Sequence, residues 1–353
     1  MKKYKVIIWG LGNVGRSALI HTQTKKSLDL VAVYDVDPKK VGKDAGEAIG
    51  IEKVGVIVTD NREAVLNADA DVVLYYAPQM YDGAGFEQPH MGKNCDEICE
   101  ILSHKHNVIT SACIYYSKVQ APEIYDKIDK TAKANGVTYV QQGIFPGLYT
   151  PYLPIILAMG SRNTKSVKVY GGEPDELNTA PWAALLAFGK KPDEIDKAMV
   201  DAFHTRFLCD YGGSVKVIAD KLGLEYDEYE QNYESIMSDR DYDTKNPMFG
   251  VVKKGTIGAH RLNMVVKKNG EEIVGFHFVH KASRNILPEI GLDFKVEIEG
   301  ENKIVANVEG FLPEYCDVFL TSAAPNVNLI PGLVAAEPGY KDAIEVAVIQ
   351  LPE

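Results

Sequence analysis

At 353 residues the chain is long enough for roughly two domains and a substantial core. Its 46% hydrophobic and 25% charged residues are ordinary for a globular protein, and no apolar run approaches the roughly 20 residues that span a bilayer. A formal charge of -11 disfavours nucleic acid and anionic membrane surfaces as partners.

The first stretch, Tyr4 to Arg16, reads YKVIIWGLGNVGR, and the Met-Lys-Lys start leads straight into it, so no signal peptide is expected. Val6, Ile7, Ile8 and Trp9 form a short apolar run that predicts a strand buried on both faces. Gly10, Gly12 and Gly15 follow in G-x-G-x-x-G spacing, and Ser17 to His21 continues as a helix. Gly10 admits the tight turn, Gly12 lets the backbone approach a pyrophosphate, and Gly15 lets the helix lie close on the strand. The helix N-terminus, at Asn13 and Val14, turns free N–H groups toward a diphosphate. A second strand, Leu30 to Tyr34, ends in Asp35, 20 residues beyond Gly15, where a carboxylate can accept both ribose hydroxyls of an adenosine. Asp35 repels a 2′-phosphate, and Lys39 and Lys40 in the same loop soften that preference. NAD(H) is the expected cofactor, with NADP(H) bound more weakly.

Strand and helix signals go on alternating to about residue 145. Val56 to Val58 is a short apolar run, and Asp60 with Glu63 marks a helix start before Ala64 to Leu66. Val72 to Tyr76 reads as a central strand, Cys95 to Leu102 as a helix and Asn107 to Thr110 as a strand. Pro122 opens a helix whose stripe is Ile124, Ile128 and Ala132, Asn135-Gly136 closes it, and Val137 to Val140 is another strand. Ligands in such sheets lie beyond the carboxyl ends of the strands, so Ala77 and Ser111 are further expected cofactor contacts. The long connection Gln79 to Asn94 is either a lid or a solvated excursion, and it carries Asp82, Glu87 and His90. The five scattered cysteines, Cys95, Cys99, Cys113, Cys209 and Cys316, suit free thiols in a reducing cytoplasm; no metal site is expected.

The pattern changes after Gly143 to Gly147. A strand at Lys165 to Tyr170 precedes helical segments at Pro181 to Phe188, Pro192 to Cys209 and Ser214 to Leu222, and the acidic run Glu225 to Asp243 reads as a solvated excursion. Asn269-Gly270 is a hairpin turn between Thr256–Lys268 and Glu271–Lys281. With Lys268 facing Glu271, His277 lies opposite Leu262 and His260 opposite Val279, so both histidines share one covered face. Leu292 to Glu299 and Lys303 to Glu309 form another antiparallel pair. The fold class is α/β: a Rossmann-type doubly wound parallel sheet, with a second α+β domain containing an open antiparallel sheet. The expected domains are 1–144 for the dinucleotide, 145–321 for substrate and dimerisation, and 322–353 for a closing helix and tail on the first domain. An open sheet invites a second subunit, and a homodimer is expected.

The chain resembles the dihydrodipicolinate-reductase-like oxidoreductases that include 2,4-diaminopentanoate dehydrogenase and related NAD(P)-dependent amine dehydrogenases. WGLGNVGR at 9–16, DPKKVGKDAGE at 37–47, NVIT at 107–110, GIFPGLYTPYLP at 143–154 and VNLIPGLVAAEPG at 327–339 carry the likeness. It implies a Rossmann domain, a sheet-containing domain that forms the substrate pocket and dimer contact, and reversible oxidative deamination of a small molecule. It also implies an acidic residue after the NVIT strand and an asparagine before the loop proline. Here Ser111–Tyr116 holds no carboxylate, and Phe145 replaces the asparagine.

Other groups must then carry the proton. Tyr115 and Tyr116 follow a strand at the expected cofactor edge, where a phenol is a workable acid or an aromatic wall. His204 on an amphipathic helix and His277 on the hairpin are the further catalytic candidates, each weighed against a structural histidine. Three readings stay open: hydride transfer to an amine or imine, a carbonyl or double-bond reductase, and a non-catalytic nucleotide-binding regulator.

Overall fold

The computed structural model describes residues 3–78, 92–111, 115–178, 181–309, 318–346 and 352. They divide into two compact units, the first drawn from 1–83, 90–148 and 319–353 and the second from 149–318.

The first unit alternates β1 (Tyr4–Trp9), α1 (Asn13–Gln23), β2 (Leu28–Tyr34), α2 (Ala45–Ile49), β3 (Val58–Thr59) and α3 (Arg62–Leu66). It continues through β4 (Val72–Tyr75), α4 (Gly92–Ser103), β5 (Asn107–Thr110), α5 (Ser117–Gln120), α6 (Pro122–Asn135) and β6 (Thr138–Gln141). The cap of α3 is Asn61 rather than Asp60, its side chain accepting the Ala64 N–H at 3.1 Å. Pro122 does occupy the first turn of α6, and Gly136 ends it in the left-handed conformation that its missing Cβ permits.

The second unit begins with α7 (Tyr152–Ala158) and β7 (Ser166–Pro174), followed by α8 (Lys197–Leu222) and β8 (Glu228–Met237). Two short strands, β9 (Tyr242–Asp243) and β10 (Val251–Val252), lead to the long hairpin β11 (Ile257–Lys268) and β12 (Glu271–Lys281). β13 (Phe294–Glu299) and β14 (Ile304–Val308) close the unit. The chain then returns to the first unit with α9 (Val318–Ala335) and β15 (Gly339–Asp342).

Seven parallel strands in the order β15-β6-β5-β4-β1-β2-β3 make the first sheet. Strands covered on both sides must be apolar throughout, and Ile7, Ile8, Val73 and Leu74 are at most 1% exposed. One face packs on Ile98, Leu102, Ile124 and Ile128, from α4 and α6. The other packs on Ala18 and Leu19 of α1 and on Val327, Ile330 and Leu333 of α9.

The second sheet has the order β14-β13-β7-β12-β11-β8 and is mixed, with β12 and β7 parallel and the other pairs antiparallel. Three features differ from the sequence reading. The acidic run is not a loop: Glu228–Met237 pairs along nearly the whole of β11 as an edge strand. Its charges suit an edge that must not recruit another chain. The two expected helices are one, because α8 runs unbroken through Gly212 and Gly213. Gly212 is needed there, since a Cβ would sit 1.9 Å from the Tyr229 hydroxyl of β8.

The third difference lies in the hairpin. Asn269 and Gly270 turn with φ of 54° and 80°, as a two-residue turn requires, and Lys268 faces Glu271. A bulge between Val266 and Lys267 then shifts the register by one residue. His260 therefore faces His280, and His277 faces Asn263. A one-residue slip turns a strand over, so Val274, Phe276, Phe278 and His280 are the buried set on β12. His260 and His277 lie on opposite faces, not on one.

Candidate functional site

In the first unit the glycine loop after β1 separates three jobs. Gly10 has φ of 97°, and a Cβ on it would lie 2.7 Å from the Tyr76 carbonyl oxygen. A Cβ on Gly15 would lie 2.0 Å from the Gly10 carbonyl oxygen, so the helix can touch the strand only without one. Gly12 is different: it is exposed, and a Cβ there would meet no atom of the described residues within 4 Å. The space beside Gly12 is open to a ligand, next to the first N–H groups of α1 at Asn13 and Val14.

Asp35 is buried at the end of β2 and already accepts three donors. Its Oδ2 takes the Leu11 N–H at 2.7 Å and Lys40 Nζ at 3.2 Å, and its Oδ1 takes the Asp37 N–H at 2.8 Å. Lys40 Nζ also donates to the Leu11 carbonyl at 2.9 Å and pairs with Asp37 at 3.7 Å. Of the two lysines in this loop, Lys40 is fastened to the acid, while Lys39 is exposed. Ala77 and Ser111, both partly buried, follow β4 and β5 at their carboxyl ends.

Tyr115 and Tyr116 are both buried. Burial, with Asp342 beside it, raises the Tyr115 phenol well above its usual range and makes it a weaker acid. Tyr116 holds a left-handed backbone, φ 54°, at the start of α5. Residues Cys113, Asp82, Glu87 and His90 lie outside the described residues.

In the second unit His204 is 1% exposed, stacked on Tyr233 with ring centres 4.1 Å apart and 4.2 Å from His260. Burial pushes His204 down to about 4, so it is neutral, with Nδ1–H donating to the Val200 carbonyl at 2.9 Å. His277 lies on the other face of the sheet, in a cavity of about 460 Å³ with Lys168, Tyr170, Arg261 and Glu272. Both its nitrogens are engaged, Nδ1 with Asn263 Oδ1 at 2.8 Å and Nε2 with Glu272 Oε1 at 3.1 Å.

A buried charged cluster joins residues that sequence reasoning passed over. His280 and Asp175 are each 1% exposed, and His280 Nδ1 lies 3.1 Å from Asp175 Oδ2 and 3.2 Å from Glu173 Oε1. Burial opposes charge on His280, but Asp175 and Glu173 outweigh it and hold the imidazole protonated up to about 10. Tyr211 belongs to the same group: burial first, then Glu173, Asp210 and Asp175, raises its phenol well above the ordinary range. Arg206 pairs with Asp210 at 2.9 Å within α8, yet burial still lifts the Asp210 carboxyl to about 6. The only hint in the sequence was two acids directly after a glycine-paired strand, Gly171 to Asp175.

The Rossmann-type sheet with its glycine loop and the matches that follow together give the class, an NAD(P)-dependent oxidoreductase with a sheet-based second unit. Residues 4–81 match the family described as dihydrodipicolinate reductase, N-terminus, and residues 189–351 match the 2,4-diaminopentanoate dehydrogenase C-terminal domain. An amine dehydrogenase of Streptomyces virginiae is 26% identical, over 96% of this chain and 95% of that one. The 2,4-diaminopentanoate dehydrogenase of Acetoanaerobium sticklandii is 26% identical, over 99% of this chain and 94% of that one. An amine dehydrogenase structure from Mycobacterium smegmatis shares the fold, with a TM-score of 0.72 at 17% identity, covering 99% of this chain and 98% of that one. The resemblance to the dihydrodipicolinate-reductase-like group that includes 2,4-diaminopentanoate and amine dehydrogenases holds over nearly the whole chain. Among the described residues, no helix is long and apolar enough to cross a membrane.

Proposed function

We propose that the protein interconverts a small amine and its imine or carbonyl counterpart, using NAD(H) in preference to NADP(H). The nearly full-length match to two amine-acting dehydrogenases, on a chain whose glycine loop is complete, carries this reading. A bound nicotinamide supplies the hydride; the chain supplies binding, orientation and the proton. Gly12, Asn13 and Val14 would take the diphosphate and Asp35 the adenosine ribose, with Ala77 and Ser111 at the strand ends beside it.

We further place the protein in a reducing cytoplasm, where the unbridged Cys95, Cys99 and Cys209 are stable as thiols. We assign it a homodimeric state. The edge strand β14, Ile304–Val308, carries no charge, and Arg261, Asn263 and His277 remain partly exposed on one face of the same sheet.

The test follows nicotinamide absorbance with 2,4-diaminopentanoate, primary alkylamines, and ketones with and without ammonia. Amine oxidation, or ketone reduction that requires ammonia, supports the proposal. Ketone reduction that ignores ammonia would make the protein a carbonyl reductase. Tight NADH binding without turnover anywhere would make it a nucleotide-responsive regulator.

A further inference from the structure

We propose that His280 is the residue that gives a proton to the substrate and takes it back, with Asp175 and Glu173 as its positioning carboxylates. This rests on the oxidoreductase reading above.

The argument begins with an asymmetry between the two nitrogens of one ring. Nδ1 faces two carboxylates, at 3.1 and 3.2 Å. Nε2 is buried and has no hydrogen-bond partner among the described residues. Aromatic rings stand edge-on around the imidazole: Phe278 at 5.1 Å, Phe207 at 5.3 Å and Trp182 at 6.4 Å between centres. A buried N–H without an acceptor is costly, more so on a charged ring. An ion pair serving only stability needs Nδ1 and leaves no reason for Nε2. A histidine whose Nδ1–H is held by a carboxylate presents Nε2 in a defined tautomer and orientation, the arrangement that proton transfer uses.

The carboxylate is itself fixed from outside. Asn178 Nδ2 donates to Asp175 Oδ1 at 2.8 Å. Buried Asn246 donates through Nδ2 to the carbonyls of Asp175 at 3.3 Å, Glu176 at 3.2 Å and Asn178 at 2.7 Å. One amide thus pins the short turn 175–177 that carries the acid. The other titratable groups around His280 leave its charge in place. His204 and His260, on α8 and β11, are held neutral by burial, and the raised Tyr211 phenol stays protonated.

In the reductive direction Nε2–H would give its proton to the substrate nitrogen or oxygen, the hydride being what a bound nicotinamide would supply. The N–H bonding pair stays on the ring, which becomes neutral and regains a proton from solvent. In the oxidative direction the neutral ring would take the proton of the substrate N–H, a bound nicotinamide being the group that would accept the hydride. The step needs no carboxylate in Ser111–Tyr116, where this chain has none.

His280→Asn keeps a donor toward Asp175 and removes Nε2. It should lower kcat about 10²–10⁴-fold with KM and NADH affinity changed only a few-fold, and it should lower the melting temperature at neutral pH, because Asp175 and Glu173 lose their buried counter-charge. Wild-type kcat for reduction should fall as pH rises toward about 10, and Asp175→Asn should move that limb to lower pH. Nitrogen-15 histidine spectra should show one imidazole charged throughout the neutral range, absent in His280→Asn. Retention of kcat and of the alkaline limb in His280→Asn, with an active wild type, overturns this assignment alone. Stoichiometric zinc in the purified protein, with activity lost on chelation, would also overturn it, because Nδ1 would then be a ligand. A wild type inactive on the whole substrate panel removes the oxidoreductase reading and this one with it.

Discussion

At the scale of single residues, the three loop glycines should fail in different ways. Gly15→Ala drives a Cβ into the Gly10 carbonyl, where backbone meets backbone and neither can yield. It should cost about 1–3 kcal/mol of stability, read as a lower denaturation midpoint. A Cβ on Gly12 meets no atom of the described residues, so the melting temperature of Gly12→Val should hold, while NADH binding weakens about 100-fold, or about 2.8 kcal/mol. Retained affinity would show that the open space beside Gly12 is not the cofactor's. Lys40 gives a second contrast. It neutralises Asp35 from within the fold, so Lys40→Met should weaken NADPH about tenfold and leave NADH nearly unchanged, as measured by nucleotide fluorescence titration. Equal loss of both cofactors would mean that Lys40 holds the loop rather than reads the ribose.

At the scale of elements, α8 packed on the β11–β12 hairpin buries three histidines with opposite tendencies. His204 falls to about 4, below the usual 6.5. Between those values the unfolded chain binds the extra proton, so stability is present above 6.5 and drains away as pH falls toward 4. His260, lowered well below 6.5, acts in the same direction. His280 rises to about 10, so its contribution is complete below 6.5 and is lost as pH climbs toward 10. The second unit should therefore be most stable near neutrality. Melting curves across this range should show both limbs, with the alkaline one reduced in His280→Asn and the acid one in His204→Phe. A flat profile would contradict the assigned protonation states. The bulge at Val266/Lys267 is what makes this core possible, because without its register shift His280 would face the other side of the sheet.

At the scale of the whole molecule, the partly exposed sheet face and the uncharged edge strand β14 should bring two chains together. Sedimentation at micromolar concentration should show a species of twice the 38.9 kDa chain mass. A single 38.9 kDa species would refute the dimer. The first unit was legible in the sequence because its signals are local. Apolar runs, spaced glycines, Pro122 and Asn135-Gly136 act within a few residues of where they stand. The helix that returns to it was also visible, as a long apolar segment, although it begins earlier than its periodicity suggests. The second unit was legible in class but not in detail. Nothing in Glu228–Met237 says strand until β11 offers a partner for its backbone groups, and an interior glycine pair breaks a helix only where packing leaves it unsupported. The cluster of Glu173, Asp175 and His280 spans more than a hundred residues of sequence, and no spacing rule joins them. The sequence by itself determined a dinucleotide fold, since the backbone geometry of that loop depends on residues in immediate succession. Only the tertiary structure decided which histidine meets the carboxylates, because a one-residue bulge sets which face each strand residue occupies.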